Sequence, residues 1–192
     1  RSLFRKALTM RVAIIDYGSG NLRSAMKAFE RAAREADIAA AVELTAEPER
    51  VRSADRIVLP GDGAFPSCRK ALGEHGGLFE AIDEAVTRKA RPFMGICIGM
   101  QLMCLSSEEG DARCMGIFPT QVLRLPATAA DGARLKVPHV GWDTITSLRS
   151  PLFDETAGET YVYYVHSFAA EPCAATIATT DYGRPFSAAL GS

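Results

Sequence analysis

The chain has 192 residues, of which 47% are hydrophobic and 23% are charged, values typical of a folded domain rather than a disordered segment. Its 22 basic and 23 acidic side chains give a net charge of −1, so a strongly basic nucleic-acid-binding surface is not expected. The longest largely apolar run, Met94–Leu105, contains Gln101 and is too short to cross a bilayer.

We expect one domain over residues 10–192, because the first strand pattern begins just after Met10 and no linker interrupts the chain. Residues 1–9 are interpreted as an upstream extension, since they carry positive charge without the apolar stretch of a signal peptide. The five cysteines include no pair with the spacing of a zinc or redox motif. An odd number of thiols without a secretory signal favours a reduced, cytoplasmic protein.

The first hundred residues alternate between β-rich runs and amphipathic helical stretches. Strands are predicted at Arg11–Asp16, Ala40–Leu44, Asp55–Leu59 and Arg91–Ile96. Helical faces are formed by Leu22, Met26, Phe29 and Ala33, and later by Leu78, Ile82, Ala85 and Val86. Asn21 can cap the first helix, and another helix begins near Ile98. The alternation predicts an α/β three-layer sandwich with a central, mostly parallel sheet and helices on both faces.

Loops that follow the strands of such a sheet meet at one edge, where ligands bind. The loops at residues 17–21, 60–65 and 95–99 are therefore expected to lie together. From Gln121 onward the pattern changes to short β-rich runs that predict a small antiparallel extension. These runs are Gln121–Leu125, Thr160–Phe168, Ala174–Thr180 and Arg184–Ala189.

The segment Gly95-Ile96-Cys97-Ile98-Gly99 follows a predicted buried strand and opens a helix. This is the pattern of a nucleophile elbow with Cys in place of Ser, in which flanking glycines permit a tight turn. A helix N-terminus favours the thiolate, which is the nucleophilic form of Cys97. A small buried cysteine at the end of a strand explains the same residues, and the pattern alone does not decide between the two interpretations.

Two further glycine-containing loops could take part in a functional site. The turn Pro60-Gly61-Asp62-Gly63 could direct a backbone N–H toward an oxyanion formed at Cys97, and the Ile98 amide could supply a second donor. An ordinary turn is the alternative. Gly18-Ser19-Gly20 is only half of a dinucleotide-binding fingerprint and does not support nucleotide binding.

His166 is the candidate general base for Cys97 from residue type alone, because a cysteine nucleophile usually needs one. A hydrogen-bonded histidine in a half-buried strand is the alternative. Glu108 and Glu109 follow the helix after Cys97, and one of them could meet the amino group of a substrate, although a solvated helix end is equally consistent.

Six segments occur in an order that resembles one family: Asp16-Tyr-Gly-Ser-Gly-Asn-Leu22, Leu59-Pro-Gly-Asp-Gly-Ala-Phe65, Gly95-Ile-Cys-Ile-Gly-Met-Gln-Leu102, Ser107-Glu-Glu-Gly110, Lys136-Val-Pro-His-Val-Gly-Trp142 and Tyr164-Val-His-Ser167. The resemblance is to the class I, triad-type glutamine amidotransferases with a flavodoxin-like core. Within them it is to the glutaminase subunits of imidazole glycerol phosphate synthases, and it covers about Met10 to Ser192.

The resemblance implies hydrolysis of glutamine to glutamate and ammonia through a thioester. The ammonia would pass to a (β/α)₈-barrel cyclase subunit, bound as a heterodimer, which makes imidazole glycerol phosphate for histidine biosynthesis. No metal, organic cofactor, nucleic acid or membrane is implied.

By motif, Cys97 is the implied nucleophile, and the backbone amides of Asp62 and Ile98 are the implied oxyanion donors. Positions that hold glutamine in the family are matched here by Gly63, Gln101, Glu109, Ser167 and Phe168. Positions that face the cyclase are matched by Asn21, His139 and Trp142.

The sequence departs from the family at three places. Asp62 replaces an apolar residue, and its charge would oppose oxyanion formation if the carboxylate faced inward. Phe168 stands where the family usually has Tyr. The family's catalytic His and Glu lie in a His-Pro-Glu-Lys-Ser segment that this sequence does not contain, so His166 matches a non-catalytic position. The sequence is therefore expected to be truncated at its C-terminal end and to have very low glutaminase activity.

Two other functions remain open at this stage. A non-catalytic subunit that docks on the cyclase would fit a chain without a base. A cysteine-elbow hydrolase of related fold would leave the segments around Gln101, Glu109 and Trp142 unexplained.

Overall fold

The computed structural model describes residues 9–153 and 159–191, and its contacts divide the chain into two compact units, one ending at Met100 and the other beginning at Gln101. Most of the expected upstream extension, residues 1–8, lies outside the described residues. The first unit contains β1 (Met10–Ile15), α1 (Leu22–Glu35), β2 (Ala40–Thr45), α2 (Pro48–Ser53), β3 (Arg56–Leu59), α3 (Phe65–Glu74), α4 (Leu78–Asp83), a π-helical turn (Glu84–Arg88) and β4 (Phe93–Gly95). Helix α5 (Ile98–Gln101) contains the boundary between the units.

The sheet of the first unit has the strand order β2-β1-β3-β4, and every pair in it is parallel. The predicted parallel α/β architecture is thereby confirmed. The chain moves outward from β1 to β2 and then returns to place β3 on the other side of β1. The loops after β1 and β3 therefore leave the sheet at a topological switch point, the position where open α/β sheets bind ligands.

The central strands of this sheet bury side chains on both faces, because successive residues of a strand point to opposite sides. On one face, Val12, Ile14 and Val58 form a core cluster against the apolar side of α1, including Met26 and Phe29. Ala13 and Ile15 of β1 point to the opposite face and are also fully buried. This two-sided burial explains why the central strands read as continuous apolar runs.

The second unit contains β5 (Ser106–Ser107), β6 (Ala112–Arg113), β7 (Gln121–Arg124), β8 (His139–Ile145), β9 (Thr160–His166), β10 (Phe168–Ala170), β11 (Thr176–Asp181) and β12 (Pro185–Leu190). Six of these strands form a sheet with the order β11-β12-β10-β7-β5-β6. Its pairing is antiparallel except between β5 and β7 among the described strands. Strands β8 and β9 form a separate antiparallel pair, so the predicted antiparallel extension is larger than expected.

The structure corrects several of the predicted elements. The run Thr160–Phe168 is not one strand but parts of two, because the chain pairs with β8 up to His166 and with β7 from Phe168 onward. Helix α2 and strand β8 were not predicted, and β4 is shorter than Arg91–Ile96. Within the described part of the chain, no helix has both the length and the apolar character needed to span a membrane.

Candidate active site

Cys97 lies at a sharp turn between β4 and α5. Its backbone has φ of +56°, a left-handed conformation that is rare for a residue with a side chain. Such strained positions persist only where the surrounding structure enforces them, and they cluster at functional sites. The sequence pattern at residues 95–99 therefore folds as the predicted elbow, with the Cys97 residue exposed to solvent.

Close backbone approach explains the glycines on either side of Cys97. A Cβ added to Gly99 would lie 1.8 Å from the Leu59 carbonyl oxygen, and one added to Gly95 would lie 2.7 Å from the Gly99 carbonyl carbon. A Cβ on Gly61 would lie 2.7 Å from the Ile98 Cβ. The backbone also bonds across this contact, because the Ile96 N–H donates to the Leu59 oxygen at 2.9 Å. These contacts fix the elbow against the end of β3.

Two opposing effects act on the Cys97 thiol. Partial desolvation by the surrounding loops raises the pKa of Cys97, and the nearby Asp62 and Cys68 raise it further. A hydrogen bond from the Ile98 backbone N–H acts in the other direction and stabilises the thiolate. The amide predicted as an oxyanion donor is thus already directed at the sulfur.

The other predicted oxyanion donor is engaged elsewhere. The Asp62 backbone N–H donates to the Ser19 hydroxyl at 3.1 Å, and that hydroxyl donates back to the Asp62 carbonyl at 2.8 Å. The Cys68 thiol donates to the same carbonyl at 3.2 Å. Nearby, the buried Tyr17 hydroxyl donates to the Pro60 carbonyl at 2.9 Å, and burial raises the pKa of that phenol. The role of the Asp62 amide stays a prediction.

The Asp62 carboxylate folds back on its own loop. Its Oδ1 accepts a hydrogen bond from the Gly63 N–H at 2.8 Å, so the amide of this predicted glutamine-binding residue is occupied. The carboxylate is near enough to Cys97 to raise the thiol pKa. Asp62 therefore opposes formation of negative charge at the elbow, in the direction anticipated from the sequence.

Predicted glutamine-binding residues also lie in the second unit. The Gln101 side chain is buried, and its Nε2 donates to the Phe168 carbonyl at 3.1 Å, while its Oε1 is buried with no partner among the described residues. Ser167 stands at the change of sheet between β9 and β10. Glu109 follows β5 and is half-buried, and its backbone N–H donates to the Ser107 hydroxyl at 3.2 Å. Gln101 and Phe168 are brought together in space.

His166 does not have a ring nitrogen free for the general-base role that residue type alone suggested. Its Nδ1 lies 3.1 Å from the Phe168 carbonyl oxygen, and its Nε2 lies 3.1 Å from Nδ1 of His139. Burial lowers the pKa of His166 and favours the neutral ring. The structure corrects this candidate, because both nitrogens are occupied inside the second unit.

The three residues predicted to face a partner have different surroundings. Asn21 is exposed and caps α1, since its side-chain oxygen accepts from the Ser24 N–H at 3.3 Å. Trp142 is 70% exposed, whereas His139 is only 5% exposed. The two lie on opposite faces of β8, so the β8–β9 hairpin presents Trp142 outward and holds His139 inward.

Sequence reasoning missed the contribution of Ser19, Tyr17 and Cys68 to the loop that precedes α3. Ser19 belongs to the turn that was considered only as part of a nucleotide fingerprint. The available signal was the position of this turn after β1, beside the loop after β3. Within the described residues, no group of three or more His, Cys, Asp or Glu side chains is arranged to hold a metal ion.

Comparison with known proteins places these observations in a family context. Residues 13–188 match the family described as glutamine amidotransferase class-I. The chain is 50% identical over 186 residues to the imidazole glycerol phosphate synthase subunit HisH of Rhizobium meliloti (strain 1021), covering 93% of this chain and 85% of that protein. The subunits of the same name from Agrobacterium fabrum (strain C58) and Brucella suis biovar 1 (strain 1330) are 49% and 48% identical, each over 95% of this chain and 86% of the relative.

Replacing Gly99 by alanine should destabilise the fold strongly, because the new Cβ would overlap the Leu59 carbonyl oxygen. We expect Gly99→Ala to lower the free energy of unfolding by about 3 kcal/mol or more, measured by urea denaturation. Gly76→Ala is the matched control, since no atom lies within 4 Å of its Cβ position, and its effect should stay within about 0.5 kcal/mol. Equal, small effects would show that α5 can move away from β3 at little cost.

Replacing Asp62 by asparagine should make Cys97 more reactive. Loss of the carboxylate removes a charge that raises the pKa of Cys97, so more thiolate is present at neutral pH. We expect Asp62→Asn to alkylate faster with iodoacetamide by on the order of twofold or more. Asp37→Asn is the control, because Asp37 precedes β2 at the opposite edge of the sheet. An unchanged rate in Asp62→Asn would contradict the electrostatic role.

Proposed function

This chain belongs to the class-I glutamine amidotransferase family, and from that membership we propose that it is the glutaminase subunit of an imidazole glycerol phosphate synthase. The observation that carries the proposal is the Cys97 elbow, in which a left-handed cysteine receives a backbone N–H from the start of α5. Relatives that carry the name of this synthase subunit are about half identical over nearly the whole chain. We place the protein in the cytoplasm because the sequence has five cysteines, an odd number, with no pair at zinc or redox spacing, which is typical of a reduced protein.

The chemistry follows from the cysteine. The Cys97 thiolate attacks the side-chain amide carbon of glutamine and forms a tetrahedral oxyanion. When that intermediate collapses, the C–N bond breaks, and the nitrogen gains a proton and leaves as ammonia. Water then attacks the thioester, which releases glutamate and returns the thiol. We assign the proton transfers to none of the described residues, because the imidazoles of His139 and His166 bond to each other.

Stabilisation of the oxyanion is assigned to two backbone amides. The Ile98 N–H already points toward the sulfur of Cys97. The Asp62 N–H donates to Ser19 instead, so its use as a second donor requires that this bond break. Ser19 and Cys68 hold the Asp62 peptide away from that role in the present arrangement.

Glutamine recognition is assigned to Gly63, Gln101, Glu109, Ser167 and Phe168. Support comes from the buried Gln101 Oε1, which has no hydrogen-bond partner among the described residues. A buried acceptor without a partner is costly, and a ligand N–H would satisfy it. The Glu109 backbone N–H donates to the Ser107 hydroxyl, and the Glu109 carboxylate has the charge suited to the ammonium group of glutamine.

A cyclase partner is assigned to the outward face of the β8–β9 hairpin. Alternate residues on this face are more than half exposed and apolar or aromatic: Val140, Trp142, Tyr161, Tyr163 and Val165. Their register forms cross-strand pairs, and the Trp142 and Tyr163 rings meet edge to face at 5.5 Å. Exposed clusters of this kind mark protein-binding surfaces, in which Trp and Tyr contribute most of the affinity.

We propose that this surface, together with the exposed cap Asn21, binds a (β/α)₈-barrel cyclase as a heterodimer. The cyclase would receive the ammonia released at Cys97 and incorporate it into imidazole glycerol phosphate during histidine biosynthesis. Asn21 also lines a depression of about 310 Å³ with Pro60, Gly61 and Asp62, so it lies beside the loop that bears on Cys97.

Protection of Cys97 by glutamine tests the glutaminase assignment without depending on turnover. We expect iodoacetamide to label Cys97 and L-glutamine, but not D-glutamine, to slow that labelling, because only the L form fits a stereospecific site. Peptide mapping by mass spectrometry identifies the labelled thiol. Cys97→Ala should abolish the glutamine-sensitive labelling, and Cys114→Ala should leave it intact.

The same experiment separates the competing functions. Labelling of Cys97 without any effect of L-glutamine would favour a cysteine-elbow hydrolase with another substrate. A stable complex with the cyclase but no glutamine protection would favour a docking subunit that takes no part in chemistry.

Truncation of Trp142 should weaken the cyclase complex without unfolding the chain, because the side chain is exposed and central to the hairpin face. We expect Trp142→Ala to raise the Kd by at least about 30-fold, measured by isothermal titration calorimetry. Leu152→Ala is the control, since Leu152 is 82% exposed and lies outside the hairpin. Equal losses in both variants would argue against this face as the docking surface.

A further inference from the structure

One backbone carbonyl in the second unit receives two side-chain donors. The Phe168 oxygen lies 3.1 Å from Gln101 Nε2 and 3.1 Å from His166 Nδ1. A carbonyl oxygen has two acceptor sites and no proton to give, so both are filled by these groups. The nitrogen of the Gln101 amide must therefore face Phe168, and Oε1 is left as the atom that faces elsewhere without a partner.

The same carbonyl dictates the protonation of the two histidines. Because Phe168 only accepts, His166 carries its proton on Nδ1, and its Nε2 becomes an acceptor. The neighbouring Nδ1 of His139, at 3.1 Å, must then be the donor. Burial lowers the pKa of both rings, whereas Asp143, whose Oδ2 lies 3.5 Å from Nε2 of His139, acts to raise the pKa of His139. Nδ1 of His139 carries a proton in either form of that ring that can donate to His166.

The histidine pair is held rigidly in the hairpin. His139 and His166 face each other in the β8–β9 register. The His139 ring stacks with Tyr164, at a centroid distance of 4.9 Å, and with Tyr182, at 3.9 Å. The Tyr182 hydroxyl donates to the Lys136 carbonyl at 2.8 Å, so this stack is itself anchored. His139 therefore has little freedom to rotate away from His166.

The hairpin has two faces with different roles. Its outward face carries Trp142 and its paired tyrosine, and its inward face carries the two histidines. The histidines connect, through one carbonyl, to the amide of Gln101. A displacement of the hairpin would therefore be transmitted to Gln101 through two hydrogen bonds rather than through loosely packed side chains.

We propose that His166, oriented by His139, is a positioning residue that fixes the Gln101 amide for glutamine and couples it to the docking hairpin. The proposal rests on the proposed function, because it takes Gln101 as a glutamine-binding residue. The ligand group concerned is an N–H donor of the substrate, since Oε1 of Gln101 can only accept.

Two substitutions at His166 separate positioning from bulk structure. Asparagine places its side-chain NH₂ near the position of imidazole Nδ1 and can keep the bond to Phe168. Glutamine places its amide near the position of Nε2, so it keeps a partner for His139 and loses the donor to Phe168. Both residues are polar and similar in size, so general destabilisation should affect them alike.

The experiment measures the glutamine Kd from protection of Cys97 against iodoacetamide, using the full chain with its cyclase partner. We expect His166→Gln to raise that Kd about fivefold or more, as for the loss of one buried hydrogen bond, and His166→Asn to stay within about twofold of the wild-type value. The labelling rate without glutamine and the cyclase Kd should be unchanged in both variants, and any fall in the thermal midpoint should be similar in the two, because each loses one hydrogen bond of the network.

The outcomes distinguish this inference from the proposed function. Equal glutamine affinity in His166→Gln and the wild type would overturn the positioning role, as would an equal loss in both variants. Absence of glutamine protection in the wild-type chain would overturn the glutamine assignment and this inference with it.

Discussion

The contact between the start of α5 and the end of β3 is the constraint on which the elbow depends. Gly99 packs so closely on the Leu59 carbonyl that no side chain fits between them. This contact holds the turn in place and keeps Cys97 at positive φ. The strain at Cys97 is offset by the burial of the surrounding sheet, where Ile14 and Leu59 are completely excluded from solvent. The left-handed conformation of Cys97 is thus maintained by the packing of the neighbouring glycines and strands rather than by the cysteine itself.

Electrostatics at the elbow are less favourable to a thiolate than the helix start alone would suggest. The Ile98 N–H stabilises the negative sulfur, but desolvation and the Asp62 charge oppose it. The Asp62 peptide is in turn held by Ser19 and Cys68 on both its N–H and its carbonyl side. This arrangement favours the protonated, unreactive thiol. Asp62 supplies both the opposing charge and the predicted oxyanion donor, so a change in the loop after β3 would alter both effects on Cys97.

The second unit uses one carbonyl to organise several polar groups. Phe168 follows the point where the chain leaves one sheet for another, so its oxygen is not consumed by the β8–β9 pairing. Gln101 and His166 both bond to it, and Oε1 of Gln101 is left buried with no partner among the described residues. This role does not depend on the phenyl side chain of Phe168, because it belongs to the backbone.

The sequence alone determined the parallel sheet, the elbow and the family, because strand and helix periodicity, turn glycines and short motifs are encoded by neighbouring residues. It did not determine β8, the break at Ser167 or the engagement of His166, since these depend on which strands pair. Ser19 and Asp62 are 43 positions apart, and Gln101 and Phe168 are 67 apart. Only the tertiary structure decides such contacts, because hydrogen bonds between residues far apart in the sequence require the topology that brings their loops together. The pattern of neighbouring residues does not specify which distant loops meet.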